Sequence, residues 1–250
     1  MQYQPVIRLA APNDVEGIRQ VYAPYVDTPI TFEEEVPAPA GFQARMEDVM
    51  QFYPCLVACE ESDLATPTEA VCEDPARAAR TEAVGSVSPD ANASAGRVLG
   101  FAYAHRQAER AAYDWNVELS IYLRRGIGRQ GVGTALYDAL MKLLALQGVR
   151  CCYARVTLPN AASERLHARF GFDTMGIQRT AGFKNGAWRD VAWYVKPIGP
   201  FDQDPTRPVP FPRVMREHAS EVERILKQAN EMLAGDHSSH AARRREISSA

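Results

Sequence analysis

The segment 121–136, IYLRRGIGRQGVGTAL, constrains the fold of this chain more than any other. A strand pattern leads through a loop with four glycines directly into a helix pattern. This order directs backbone N–H groups and the positive end of the helix into one concavity. Glycine lacks the Cβ that would block a close approach, and Arg124, Arg125 and Arg129 add positive charge. The segment therefore predicts a site for an anion such as a pyrophosphate.

The residues alone leave open which pyrophosphate compound this loop binds. A Walker A loop needs a lysine after Gly131, but Val132 stands there. A dinucleotide fingerprint can be fitted to the glycines between 126 and 131, yet it needs an acidic residue about 20 positions further on. The stretch 148–159 contains no acidic residue. A flexible glycine-rich turn with solvated arginines is the remaining alternative.

The periodicity of the apolar residues predicts one α/β domain over residues 1–197. Strand patterns occupy 6–9, 55–59, 98–105, 117–123, 151–156 and 188–195, and helix patterns occupy 15–25, 42–50, 134–147 and 160–170. The stretch 61–96 is rich in alanine, serine, proline and acidic residues and has no aromatic residue. Such a composition buries little surface, so we expect a low-complexity surface insertion there.

A different composition begins after the domain. Prolines recur within 198–212 and predict a linker. Residues 213–234 carry apolar side chains at helical spacing, which predicts an amphipathic helix that docks on the domain or on a partner subunit. The polar end, 235–250, is predicted to be disordered.

Composition excludes several classes of protein. The 28 basic and 31 acidic side chains give a net charge of −3, so the chain as a whole lacks the basic field of a nucleic-acid-binding protein. No apolar run approaches the roughly 18 residues that a membrane span needs. The N-terminus lacks a signal-peptide pattern and the five cysteines lack framework spacing, so we expect a cytoplasmic protein. Cys55 and Cys59 have no second ligand pair, and we expect no metal.

The glycine-rich loop resembles the acetyl-CoA loop of the GNAT acetyltransferases, whose pattern is Arg or Gln, two residues, Gly, one residue, then Gly or Ala. Gly131 and Gly133 fit its second half, whereas Gly128 occupies its first position. Further segments resemble the amino-acid-acetylating branch of this family that contains the phosphinothricin N-acetyltransferases. They are AYDWNVELSIYL (112–123), GRQGVGTALYDAL (128–140), LPNAASERLHARFGF (158–172) and AGFKNGAWRDV (181–191). The similarity covers residues 5–196 apart from 61–96.

This resemblance implies an α/β (α+β) GNAT acyl-CoA N-acyltransferase fold. The implied sheet is mixed, mostly antiparallel, of six or seven strands, and is flanked by four helices, with the C-terminal helix appended. It also implies acetyl-CoA as co-substrate and a homodimer. Asn160 is placed by its sequence to cap a helix, and the resemblance adds a contact with the cofactor. The cofactor-binding residues implied in this way are Ile121, Tyr122, Leu123, Arg129, Gln130, Gly131, Val132, Gly133, Thr134 and Asn160.

Acetyl transfer to an amine requires a group that takes a proton from the ammonium. Glu118 lies between apolar residues of a predicted strand, where a half-desolvated carboxylate accepts protons well near neutral pH. A solvent-facing strand acid is the alternative, and the resemblance assigns Glu118 the role of base. His167 alone on a short helix is more often structural, but the resemblance places it on a histidine that assists catalysis.

Substrate contacts are assigned in part by the residue types and in part by the resemblance. Arg110 and Tyr113 precede the strand of Glu118, and a cation there could hold an acidic substrate group. A surface cation is the alternative for Arg110. The resemblance assigns Arg110, Tyr113 and Phe32 to the substrate pocket.

The function predicted from these residues is transfer of an acetyl group from acetyl-CoA to the α-amine of a small L-amino acid or analogue. Compounds of the phosphinothricin, methionine sulfone and methionine sulfoximine type are the expected substrates, and the attack is expected to be direct, in a ternary complex. Two alternatives stay open at this point. One is a protein or peptide N-acetyltransferase, and the other is a non-catalytic acyl-CoA sensor.

Overall fold

The computed structural model describes residues 5–60, 96–127 and 130–248, with side chains described as far as residue 235. The predicted surface insertion, apart from its last residue, and Arg129 lie outside these ranges. Within these ranges, seven strands form one sheet in the order β1-β2-β3-β4-β5-β7-β6. They are β1 Pro5–Leu9, β2 Cys55–Glu60, β3 Val98–Arg106, β4 Asn116–Leu123, β5 Cys151–Thr157, β6 Asp173–Lys184 and β7 Ala187–Pro197.

All neighbouring strands are antiparallel except β4 and β5, which run parallel. This confirms the mixed, mostly antiparallel sheet implied by the resemblance. Six α-helices are described: α1 Val15–Val26, α2 Pro39–Phe52, α3 Val132–Gln147, α4 Ala161–Arg169, α5 Phe211–Glu217 and α6 Ala219–Ser248. None of these helices has a stretch long and apolar enough to cross a lipid bilayer.

The apolar side chains divide between the two faces of the sheet. On one face Ile18 of α1 and Phe42 of α2 pack with Phe101 of β3. On the other face α3 lies between the sheet and α6, and it is buried on most of its circumference. A helix that is apolar nearly all round needs cover on both sides. The appended helix α6 is therefore part of the main core.

The tail differs from the prediction in two respects. One helix is predicted over 213–234, whereas the structure has α5 and α6 with a break at His218. Helix α6 then continues to Ser248, through most of the stretch 235–250 that is predicted to be disordered. The apolar pattern ends at Leu233, but a helix that has already begun propagates over polar residues without a new nucleation step. An apolar pattern therefore indicates which face of a helix is packed, but it does not indicate how far the helix extends.

Strand β6 has no counterpart in the sequence analysis. Its residues 173–180 are all exposed, and it pairs only with β7, at the edge of the sheet. A strand without a buried face lacks the alternating apolar pattern by which strands are predicted. Irregular register beside Gly176 and Gly182 weakens the pattern further.

The opposite edge strand, β1, is bonded to the appended helix. The side-chain Oδ1 of Asn230 accepts a hydrogen bond from the Ile7 amide at 2.7 Å, and its Nδ2 donates to the Ile7 carbonyl at 2.9 Å. An edge strand without a partner offers its unpaired N–H and C=O groups to other chains. Asn230 therefore satisfies both backbone groups of a residue that is 1% exposed.

Replacing Asn230 by alanine is expected to lower the free energy of unfolding by about 1–3 kcal/mol, because it leaves a buried amide and carbonyl without partners. Urea unfolding measures this. Lys227→Ala, at an exposed position of the same helix, is the matched control and is expected to shift stability by less than about 0.5 kcal/mol. Equal effects of the two substitutions would contradict the assigned role of Asn230.

Candidate active site

The parallel strands β4 and β5 part from one another in the middle of the sheet. Their pairing ends at Glu118 opposite Tyr153, although β4 continues to Leu123 and β5 to Thr157. Each strand stays bonded to its outer neighbour, β3 or β7, over the remaining length. Alternate N–H and C=O groups of residues 119–123 consequently face a wedge instead of a partner strand. A cavity of about 810 Å³ occupies this wedge and extends to α3 and α4.

The first turn of α3 closes one end of the cavity. Gly131 adopts the left-handed conformation with a φ of 73°, which glycine reaches without steric cost. The helix bond from the Ala135 amide to the Gly131 carbonyl measures 2.9 Å, so the amides of residues 132–134 have no acceptor within the helix. A Cβ on Gly133 would lie 3.3 Å from Cδ1 of Leu123. Residues 130–134 all line the cavity.

The arginines near this loop have other partners. The Arg124 Nε donates to the Val98 carbonyl at 3.0 Å, and the Arg125 Nη2 donates to the Pro24 carbonyl at 2.9 Å. Neither residue lines the cavity. The predicted contribution of these two charges to an anion site stays a prediction. Within the described residues, the loop offers the unpaired amides at the start of α3 to an anion.

Glu118 stands at the point where the strands part. It is 7% exposed, and its Oε1 accepts a hydrogen bond from the Nε of Arg155 at 2.7 Å. Arg155 belongs to β5 and lies across the wedge, with its guanidinium carbon 5.3 Å from the centre of the Trp193 ring. The two side chains form an ion pair in which the Arg155 guanidinium holds one carboxylate oxygen of Glu118. No described residue bonds the second oxygen of Glu118, and the residue lines the cavity.

Arg155 is a site residue that the sequence analysis missed. It is the one exposed position in an otherwise buried or half-buried strand. A charged residue within the apolar pattern of β5 was the available signal. Position alone did not distinguish it from a solvated arginine, because its partner Glu118 lies 37 residues earlier.

His167 lines the cavity, but both of its ring nitrogens have partners inside the protein. Its Nδ1 lies 2.8 Å from the Ser163 carbonyl, and its Nε2 lies 2.9 Å from the hydroxyl of Tyr137. A carbonyl only accepts, so Nδ1 carries the proton and Nε2 accepts from Tyr137. Burial lowers the pKa of His167, and burial raises the pKa of Tyr137 well above its ordinary value. The geometry is that of a neutral histidine that orients the phenol.

Asn160 caps α4 as predicted. Its Oδ1 accepts from the Ser163 amide at 3.2 Å, and its own amide donates to Oε1 of Glu164 at 2.9 Å. The two bonds together satisfy the backbone at the start of α4. Asn160 also lines the cavity. At the far end of β4, the hydroxyl of Tyr25 donates to the Leu123 carbonyl at 2.6 Å, so this carbonyl already has a protein partner.

The three predicted substrate residues lie outside the cavity lining. Arg110 and Tyr113 are exposed at a short 3₁₀ turn before β4. Phe32 is 41% exposed, and its ring lies so close to Gly182 that a Cβ there would be 2.6 Å from Cε2. None of the three has a hydrogen bond with Glu118 among the described residues. Among the described residues, no three His, Cys, Asp or Glu side chains come close enough together to hold a metal ion.

Comparison with known proteins places this fold in one family. Residues 91–193 match the acetyltransferase (GNAT) domain family. An N-acetyltransferase of Streptomyces griseus is 34% identical over 197 residues, which cover 78% of this chain and 88% of that protein. The chain belongs to the GNAT acetyltransferases.

Two further relatives are phosphinothricin acetyltransferases. The phosphinothricin N-acetyltransferase of Streptomyces coelicolor is 40% identical over 107 residues, 43% of this chain, and the alignment covers only 63% of that protein. The crystal structure of the GNAT superfamily phosphinothricin acetyltransferase of Sinorhizobium meliloti, in complex with AcCoA, superposes with a TM-score of 0.66 at 28% identity. That superposition covers 82% of this chain and 95% of the other.

The neutral state of His167 predicts a pH dependence of stability. Because its pKa in the folded protein lies below the ordinary 6.5, the unfolded chain takes up this proton first as the pH falls. The contribution of the neutral His167 ring to the free energy of unfolding is therefore complete above about pH 6.5 and is lost progressively below it. Urea unfolding at about pH 8 and about pH 5.5 measures the loss.

His167→Gln is expected to reduce the difference in stability between these two pH values. His218→Gln, at an exposed position, is the matched control and is expected to retain the wild-type difference. If the wild type and His167→Gln lost the same stability on acidification, the buried neutral ring would not be the cause.

Proposed function

We propose that the protein transfers the acetyl group of acetyl-CoA to the α-amine of a small L-amino acid or analogue. Phosphinothricin, methionine sulfone and methionine sulfoximine are the substrates to test first, and the attack is direct, in a ternary complex. One observation carries the proposal: the buried carboxylate of Glu118 stands where β4 and β5 part, at the head of a cavity with unpaired backbone groups. The named relatives support the same reaction class.

The cavity fits acetyl-CoA in two respects. The amides of 132–134 and the α3 N-terminus suit its diphosphate. The unpaired backbone of 119–122 offers donors and acceptors to the amides of its pantetheine arm, and Asn160 and Gln130 line the same space. We also propose Arg129 as a cofactor-binding residue, because the family pattern assigns this loop to acetyl-CoA. When bound, acetyl-CoA supplies the acetyl group as a thioester.

Glu118 would take the proton that the substrate ammonium must lose before its nitrogen attacks. Arg155 holds one carboxylate oxygen at 2.7 Å, which leaves the other for the ammonium. Amides of the unpaired β4 stretch would donate hydrogen bonds to the carbonyl oxygen on which negative charge develops. His167 would act through Tyr137, whose hydroxyl it orients, and not by contact with the substrate.

Residues that lie outside the described cavity lining would complete the substrate pocket. Phe32, Arg110 and Tyr113 are the residues that we propose there, because they lie on the segments that flank β4 and α1. A homodimer is part of the proposal. It is supported by the edge strand β6, on which Met175 and Ile177 are exposed by 56% and 42%.

Glu118→Gln keeps the shape of the side chain but removes the base. It is expected to lower kcat by about 10²–10⁴-fold and to leave the affinity for acetyl-CoA unchanged. Release of free CoA with methionine sulfone or phosphinothricin as acceptor measures kcat, and calorimetry measures the affinity. Glu109→Gln, at an exposed position, is the control and is expected to behave as the wild type.

Two results would contradict this assignment. Unchanged turnover by Glu118→Gln would exclude the carboxylate as base. A wild-type protein that binds acetyl-CoA but releases no CoA with any amine tested would favour a non-catalytic acyl-CoA sensor.

Gly131→Ala tests the diphosphate site. A side chain at a φ of 73° costs about 1–2 kcal/mol, and the neighbouring amides are expected to move to relieve it. The dissociation constant of acetyl-CoA is expected to rise about tenfold, as about 1.4 kcal/mol implies. Gly41→Ala is the control, because a Cβ there meets nothing within 4 Å. An unchanged affinity in Gly131→Ala would place the diphosphate elsewhere.

A further inference from the structure

Two arginines line the described part of the cavity, Arg155 and Arg169. Arg169 ends α4, whereas Arg155 lies beside the carboxylate at the head of the wedge. The cavity thus carries a positive charge immediately next to the group that is proposed to receive the substrate ammonium. The general role of a base does not require such a neighbour, so Arg155 needs an explanation of its own.

The orientation of Arg155 is fixed at two places. Its Nε donates to Glu118 Oε1 at 2.7 Å, and its guanidinium carbon lies 5.3 Å from the centre of the Trp193 ring. The terminal nitrogens Nη1 and Nη2 form no hydrogen bond with a described residue. The side chain is 49% exposed, although the partner carboxylate is nearly buried. A planar, oriented pair of donors is therefore available to a ligand.

We propose that Arg155 binds the α-carboxylate of the substrate while Glu118 receives its ammonium. This inference rests on the proposed acetyl transfer and names the group that selects the substrate. In an α-amino acid one carbon separates the positive and the negative charge. Glu118 and Arg155 present the opposite charges side by side, in contact at 2.7 Å. A guanidinium binds a carboxylate through two parallel hydrogen bonds, and Nη1 and Nη2 have no partner among the described residues.

The consequence is a preference for free amino acids. The N-terminus of a peptide has an amide beside its amine, and a simple amine has no acidic group there at all. Neither compound offers a carboxylate to Arg155, so the guanidinium would face the bound ligand without an acceptor. Arg155 thereby takes the anchoring role that the sequence analysis gave to Arg110, which is exposed and outside the cavity lining.

Arg155 also touches Glu118, so a loss of activity on its removal is not sufficient evidence. The decisive quantity is the ratio of kcat/KM for an amino acid to kcat/KM for the amine obtained by removing its carboxylate. We pair L-methionine sulfone and phosphinothricin each with its decarboxylated amine. Acetyl-CoA affinity by calorimetry and the thermal midpoint verify that each variant is folded.

The wild type is expected to prefer the amino acid, and Arg155→Met to lower that preference by about 10–100-fold. Such a loss corresponds to a charge-assisted hydrogen-bonded pair. Arg155→Lys keeps the positive charge but lacks the planar pair of terminal donors, and it is expected to retain part of the preference for the amino acid. Arg179→Met is the matched control, because Arg179 is 71% exposed on β6 and bonds Asp190.

Two outcomes would overturn the inference. Equal losses on the amino acid and the amine in Arg155→Met would mean that Arg155 acts only through Glu118. A collapse of the preference in Arg110→Met with none in Arg155→Met would assign the anchor to Arg110. If the wild type released no CoA from acetyl-CoA with any of the four compounds, the proposed acetyl transfer itself would fail, and the inference with it.

Discussion

The interaction on which the site depends is the pairing of β4 with β5, which ends at Glu118. Buried backbone groups require partners, so a strand that leaves its neighbour inside a sheet exposes groups that a ligand can satisfy. The sheet tolerates this opening because β3 stays paired with β4 as far as Leu123, and β7 stays paired with β5 as far as Thr157. The wedge, the cavity and the position of the carboxylate all follow from this early end of pairing.

The two ends of the wedge differ in chemistry. At the end next to α3, the amides of the first helical turn provide partial positive charge, and Arg124 and Arg125 do not line the cavity. At the end where β4 and β5 part, the full charges of Glu118 and Arg155 stand in contact. Helix α3 is held in place by a core that includes Leu233 of α6. The appended tail therefore stabilises the helix that carries the proposed diphosphate site, although none of its described side chains lines the cavity.

Much of this arrangement follows from sequence patterns that are local. The strand, loop and helix from β4 to α3 were predicted because apolar periodicity and glycine spacing act over a few residues, and the cap at Asn160 is equally local. Strand β6 was not predicted, because an exposed edge strand has no apolar alternation. Arg155 was not predicted as a site residue, because its role depends on a contact with Glu118, which belongs to a different strand. The partners of Arg124 and Arg125 are backbone carbonyls on other elements, which no sequence pattern reveals.

A crystal structure of the protein with acetyl-CoA would show whether the parted strands hold this molecule. We expect the pantetheine arm in the wedge, bonded to the backbone of 119–122, with the diphosphate on the amides of 132–134. The acetyl group is then expected beside the carboxylate of Glu118. Acetyl-CoA bound outside the wedge, or a diphosphate away from the first turn of α3, would contradict it.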